Sequence, residues 1–332
     1  LRKNSQTLTT QSIPTLIKQL AIPASIGMFF NTMYNVVDTF YAGLISTQAI
    51  SALTLSFMIF FLIIGFGYGF SSAITALLGN ALGKKRYKLA SIYAHKGLIF
   101  VPLIGLTLSI IGYFFAPSLF MFLGAKDEYL QISLDYINPI LFGAIFFMFN
   151  FSLNSILIAT GDTKTYRNSL IFGFFANLAL NPLFMYGFLF VPAMGIKGIA
   201  FATVLIQIIN MFYLFYKVLQ TKLIHFDKLE YFIPNLRIYK LFFTHGIPSS
   251  LNMLTMAIGS LILTYFVSHY GIQAVAGYGI GYRVEQLMLL PALGLSTAVL
   301  ALVSNNFGAK KYDRVIETLK VSLKYGFIIA TI

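Results

Sequence analysis

Residues 80–87, Asn-Ala-Leu-Gly-Lys-Lys-Arg-Tyr, return 225 positions later as residues 305–312, Asn-Asn-Phe-Gly-Ala-Lys-Lys-Tyr. The same offset carries Ile22-Pro23 onto Ile247-Pro248, Gln48-Ala49 onto Gln273-Ala274, Gly69 onto Gly294 and Ala73 onto Ala298, with no gap. Almost everything between these landmarks is apolar, so the repeating unit is a set of membrane spans.

Composition agrees. Hydrophobic residues make up 58% of the chain and charged ones 10%, and the mean hydropathy is +0.81, which excludes a soluble globular domain. A bilayer core needs about 20 apolar residues per helix. Stretches of that length lie near 17–43, 51–80, 97–123, 134–160, 168–191, 194–216, 241–268 and 274–304, with a ninth starting near 319. No cysteine is present, which removes disulfides, thiolate metal sites and cysteine nucleophiles together.

The net charge of +13 could suggest a nucleic-acid partner, but its distribution excludes one. Basic residues alternate between loops instead of forming a patch. Lys84, Lys85, Arg86, Lys88 and Lys96 follow span two, Lys217, Lys222 and Lys228 follow span six, and Lys310, Lys311 and Arg314 follow span eight, while the intervening loops hold little more than Lys126 and Lys197. This positive-inside pattern predicts a multi-pass protein of the cell (inner or plasma) membrane with a cytoplasmic amino terminus. Its constant partner is the lipid bilayer, and a monomer is expected.

Six spans separate the two copies of the repeat, and an even number gives both copies the same orientation. The expected fold is therefore an all-α integral membrane protein, a parallel repeat of six-helix bundles forming two lobes. Residues 1–220 read as the amino-terminal six-helix lobe, 221–240 as a cytoplasmic linker, and 241–332 as the start of the carboxy-terminal lobe, which is incomplete. On this reading the chain is a fragment of a longer protein of about twelve spans. Prolines inside spans free backbone groups and permit bends, and Pro23 and Pro248 are repeat-related, as a shared kink would be. Gly65 with Gly69 and Gly277 with Gly281 are small-xxx-small spacings suited to close helix packing.

A charge inside a span is costly and persists mainly where it is used. Only Asp38 and Glu285 among the carboxylates fall clearly inside apolar stretches, and both break the repeat, since the offset matches them to Leu263 and Phe60 in the other copy. Glu285 has Arg283 two residues before it, and the two form a possible second-lobe polar site or a local ion pair. Asn150 and Asn154 in span four, and Asn177 and Asn181 in span five, are each spaced i,i+4, so each pair shares a helix face. Thr203, Asn31, Tyr34 and Asn35 add further oxygens. Such hard donors suit Na⁺, and they can equally hydrogen-bond a carboxyl that takes up a proton. Interhelical hydrogen bonding alone would also account for them.

Taken together, Ile22-Pro23, Tyr34-Asn35-Val36-Val37-Asp38, Gly83-Lys84-Lys85-Arg86-Tyr87, Ala159-Thr160-Gly161-Asp162-Thr163, Asn177-Leu178-Ala179-Leu180-Asn181-Pro182, Ala202-Thr203-Val204 and Gly246-Ile247-Pro248 resemble the multidrug and toxic compound extrusion (MATE) transporters, in particular the DNA-damage-inducible F-like branch. The resemblance covers essentially the whole chain. It implies antiport of small organic, often hydrophobic and cationic, compounds against H⁺ or Na⁺ by alternating access, with no cofactor beyond the coupling ion and no metal beyond Na⁺ at Asp38. By it, Asp38 is the coupling carboxylate, Pro23 the bending point, and Tyr34, Asn35, Tyr136, Asn154, Asn177, Asn181 and Thr203 parts of the same pocket. Many relatives have Asp where this chain has Asn181, which leaves one carboxylate there. A lipid-linked saccharide flippase or polysaccharide exporter is the alternative, although several basic residues would then be expected in the cleft. An enzyme is not expected, since the four histidines lie on separate segments and no nucleophile and base pair up.

Overall fold

The structure is a computed structural model that describes residues 7–188, 191–227 and 229–331, with the side chains at 229, 256, 257, 283, 286 and 330 outside that description. Nine long helices run through the described residues: α1 Ile13–Ile45, α2 Thr47–Gly83, α3 Tyr87–Phe122, α4 Asp127–Ala159, α5 Lys164–Tyr186, α6 Ile196–Gln220, α7 Leu236–Ser268, α8 Ile272–Gly308 and α9 Tyr312–Thr331. Eight of them, α1 to α8, contain a segment long and apolar enough to cross a bilayer, in line with the first eight stretches read from sequence. The ninth stretch falls short of that standard, because Asp313, Arg314, Glu317, Lys320 and Lys324 share helix α9.

Local chemistry sets the joints. Ser46 adopts an extended backbone and its hydroxyl accepts from Ala49 N at 3.0 Å, which ends α1 and starts α2 within one residue. Asn235 caps α7 in the same way, accepting from Arg237 N and Ile238 N. The turns after α2 and α8 match closely: Lys85 and Lys310, 225 residues apart, both sit in the left-handed region at φ 59°. α2 and α8 themselves begin and end at the same offset.

Glycine contacts reveal the relation between the two copies. A side chain at Gly69 of α2 would collide with Ser250 of α7, and one at Gly294 of α8 would collide with Ser25 of α1, which is the same contact seen from the other copy. Gly83 meets the Asn305 carbonyl, and Gly308 meets the Asn80 carbonyl. Two pairs join a residue to its own repeat mate, Thr54 to Gly279 and Gly79 to Ser304. Such self-pairs occur only on a two-fold axis. The axis therefore runs along α2 and α8, as a parallel repeat requires.

Gly65 packs against Leu254 of α7, so the Gly65 and Gly69 spacing serves the joint between lobes. Gly277 and Gly281 have nothing within 4 Å of an added methyl, so the close packing expected there is not seen among the described residues. Pro23 and Pro248 lie inside the continuous helices α1 and α7, where the ring removes one N–H from each ladder. Residues 221–240 comprise a turn, the short 3₁₀ helix Leu229–Tyr231 and the first residues of α7.

Candidate functional site

Between the lobes lies a cavity of about 360 Å³, walled by α1, α2, α4, α5 and α6 on one side and by Met253 of α7 and Leu289, Leu293 and Thr297 of α8 on the other. The two walls differ in character. The amino-lobe wall supplies Asn31, Asn35, Asp38, Asn150, Asn154 and Gln207, together with Phe57, Phe60 and Phe61, whereas the other wall is almost wholly aliphatic. Asp38 is the sole charged residue among the described lining.

The carboxylate is 2% exposed. Its Oδ1 accepts from Asn177 Nδ2 and from Asn181 Nδ2, each at 2.8 Å, and its Oδ2 accepts from the Thr203 hydroxyl at 3.3 Å. The i,i+4 spacing puts both amides on one face of α5, and each also donates to the other's oxygen, at 3.4 and 3.2 Å. Asn177 and Asn181 are fully buried. Tyr34, one turn before Asp38, is buried with its hydroxyl beside Thr203 and Asn177. Tyr136 and Asn35 meet Asp38 around a small side void of about 10 Å³, shared with Leu53, Phe57 and Phe60, which is room for about one water-sized group.

These residues fit a small cation. A half-turn of either amide about its Cβ–Cγ bond would present an oxygen to the carboxylate in place of an NH₂, giving a carboxylate, amide and hydroxyl set of hard donors. Protonation of Asp38 is the other way to neutralise the site.

Asn154 stands apart. It lies 18 residues along α4 from Tyr136, about 27 Å at 1.5 Å per residue, so it lines the other end of the cavity. The physical reason is that α4 runs the full length of the wall, and a polar residue on its cavity face need not share a level with Asp38. Asn154 Oδ1 is buried without a partner, while Asn150 one turn earlier donates to the Gln207 carbonyl at 3.0 Å and to its side-chain oxygen at 2.8 Å. Gln207 was not singled out from sequence, although its i,i+4 spacing from Thr203 was a usable signal.

The pairing of Arg283 with Glu285 lies outside the described residues. Arg283 and Glu285 both fall in the unbroken helix α8, where residues two apart point to different sides. Glu285 is exposed, and the Arg283 side chain lies outside the described residues. Among the described residues no group of His, Cys, Asp and Glu could hold a metal ion.

Comparisons with known proteins bear on the family and the fold. A family model described as MatE matches residues 23–183 and 248–332. The chain is 31% identical over 289 residues to the probable multidrug resistance protein YoeA of Bacillus subtilis, with 86% of this chain and 62% of that protein covered. It is 25% identical to an FAD transporter of Shewanella oneidensis, covering 99% of this chain and 73% of the relative. The chain thus spans about two-thirds of the length of such relatives. A solved structure described as an outward-facing multidrug resistance MATE family transporter superposes with a TM-score of 0.86 at 27% identity, over 98% of this chain and 72% of that one. With its parallel repeat, its interlobe cavity and its family match, the chain belongs to the MatE family of multi-pass membrane transport proteins.

Proposed function

We propose that this protein is a secondary active efflux transporter that exchanges small organic cations for H⁺ or Na⁺. The observation that carries the reading is the Asp38 carboxylate, held by two amides and a hydroxyl at the wall of a cavity between two lobes. A lone negative charge beside Phe57, Phe60 and Phe61 suits a flat hydrophobic cation. The aliphatic wall offers its apolar part a matching surface.

Asp38 takes the coupling ion when the cavity faces outward. The ion moves inward down its gradient, aided by a membrane potential worth about 2.3 kcal/mol per charge per 100 mV. Neutralising Asp38 removes the charge that holds a cationic substrate and favours the conformation that releases it, by no more than the difference in affinity between the two states. The distribution of basic loops supports a cytoplasmic amino terminus. A flippase for pyrophosphate-linked lipids fits less well, because no Lys or Arg lines the cavity among the described residues. The same lack speaks against a flavin nucleotide, whose phosphates would face Asp38 uncompensated.

The test is efflux of a cationic dye from proteoliposomes under an imposed pH or Na⁺ gradient. Gradient-driven efflux that Asp38→Asn removes supports the reading and identifies the ion. Folded protein that moves no dye under either gradient rejects it.

A further inference from the structure

The joint between lobes at the basic-loop end is held by a set of bonds that the transport reading does not require. Leu8, 3% exposed, sits in the seam, packed among Ile13, Leu16 and Leu20 on one side and Leu295, Ala298 and Leu302 of α8 on the other. The backbone carbonyls around it are taken by side chains from the corner between α8 and α9. Asn306 Nδ2 donates to Leu8 O at 3.1 Å, Lys311 Nζ to Thr9 O at 2.8 Å, and Arg314 Nη2 to Gln11 O at 2.6 Å and Leu8 O at 3.5 Å. Arg314 Nε in turn donates to Asn306 Oδ1 at 2.9 Å, which fixes the amide with its NH₂ toward Leu8.

The repeat supplies an internal control. The corner between α2 and α3 has the same turn, with Lys85 in the left-handed conformation of Lys310, yet the positions matching Asn306 and Arg314 are Ala81 and Leu89. The corner therefore forms without these donors. Their presence in one copy alone has to be explained by what they reach, and what they reach is the backbone of the other lobe's entry segment.

We propose that residues 8–11 are a bolt, clasped by Asn306, Lys311 and Arg314, that keeps the cavity shut toward the basic-loop face and must be released before the cavity opens on that side. Two of the three clasp residues, Lys311 and Arg314, are charged donors on backbone acceptors, which is the stronger kind of hydrogen bond, and the acceptors do not depend on the side chains at 8–11. The proposal rests on the alternating-access reading, but its test does not depend on transport.

The chain has no cysteine, so a single reporter, Ser72→Cys in the cavity wall, can be labelled by a membrane-impermeant maleimide applied from the basic-loop face. Arg314→Ala is expected to raise the labelling rate about tenfold, as loss of charge-assisted bonds shifts the open population. Arg314→Lys should fall between Ala and the parent. In a Ser72→Trp background, where the chain has no other tryptophan and the reagent meets no reporter thiol, bridging Thr9→Cys to Lys311→Cys with a short reducible cross-linker should depress quenching by a water-soluble quencher until the bridge is reduced. This arm covers the case in which Arg314→Ala fails to fold. Equal labelling in the parent and the Arg314 variants, with equal quenching before and after the bridge is reduced, would overturn the bolt and reduce these contacts to static packing. Absence of dye efflux would instead count against the transport reading alone.

Discussion

Asp38 and Lys96 are both charged side chains inside long apolar helices, buried to 2% and 4% exposure, yet they have different kinds of partner. Asp38 faces a cavity and is held by side chains of α5 and α6, all of which can rotate. Lys96 faces the segment between the lobes, and its amine donates to the backbone carbonyls of Glu230 and Ile233. Around it the fully buried His95 accepts from His225 N at 3.0 Å, and Ser91 donates to Leu223 O at 2.6 Å. Burial of a charge therefore does not by itself mark function. Lys96, whose acceptors lie in the segment that follows the amino-terminal lobe, is a fastener, whereas Asp38, held by rotatable side chains beside open space, can change its partner.

The comparison can be broken at either end. Asp38→Asn should cut gradient-driven efflux about a hundredfold or more while leaving the melting temperature close to the parent's; a large fall in stability would make Asp38 a fastener too. Lys96→Met should do the reverse, lowering stability by about 2–4 kcal/mol as two carbonyls lose their donor, with efflux per folded molecule nearly unchanged. Chemical denaturation in detergent, paired with dye efflux normalised to folded protein, separates these outcomes. Asn181→Ala sharpens the contrast, since loss of one of the bonds to Asp38 should slow efflux about tenfold. The smallest effect is expected at Glu285, which is exposed: Glu285→Gln should alter stability by no more than about 0.5 kcal/mol and efflux by less than about twofold. A larger loss there would bring the second-lobe carboxylate back into the mechanism.

Much of this was legible from sequence because the relevant signals are periodic or rare. Eight apolar runs and one ungapped offset of 225 residues yield the spans and the relation between lobes, and the axis appears where Gly79 meets Ser304. Asp38 stands out as a lone carboxylate, and Asn177 and Asn181 share a face by spacing alone. What sequence could not supply was depth and return. Asn154 looked like a neighbour of Asp38 because spacing along one helix says nothing about the level at which another helix places its residues. Lys96 read as one more loop cation, since nothing local reveals that Leu223, His225, Glu230 and Ile233 fold back onto α3.

The self-pairs on the axis have a consequence for what a fused duplication can achieve. Two separate copies of one lobe, associating as a symmetric dimer, would have to set identical residues against each other wherever the axis passes. Two glycines would leave a gap, and two threonines or serines would crowd. Here Thr54 fills the space opposite Gly279, and Ser304 fills the space opposite Gly79, so the bulk lies in the first copy at one end and in the second copy at the other. Joining the copies in one chain released these positions from self-complementarity and let each fit the other as lock and key, at the cost that neither copy can now drift at those positions alone.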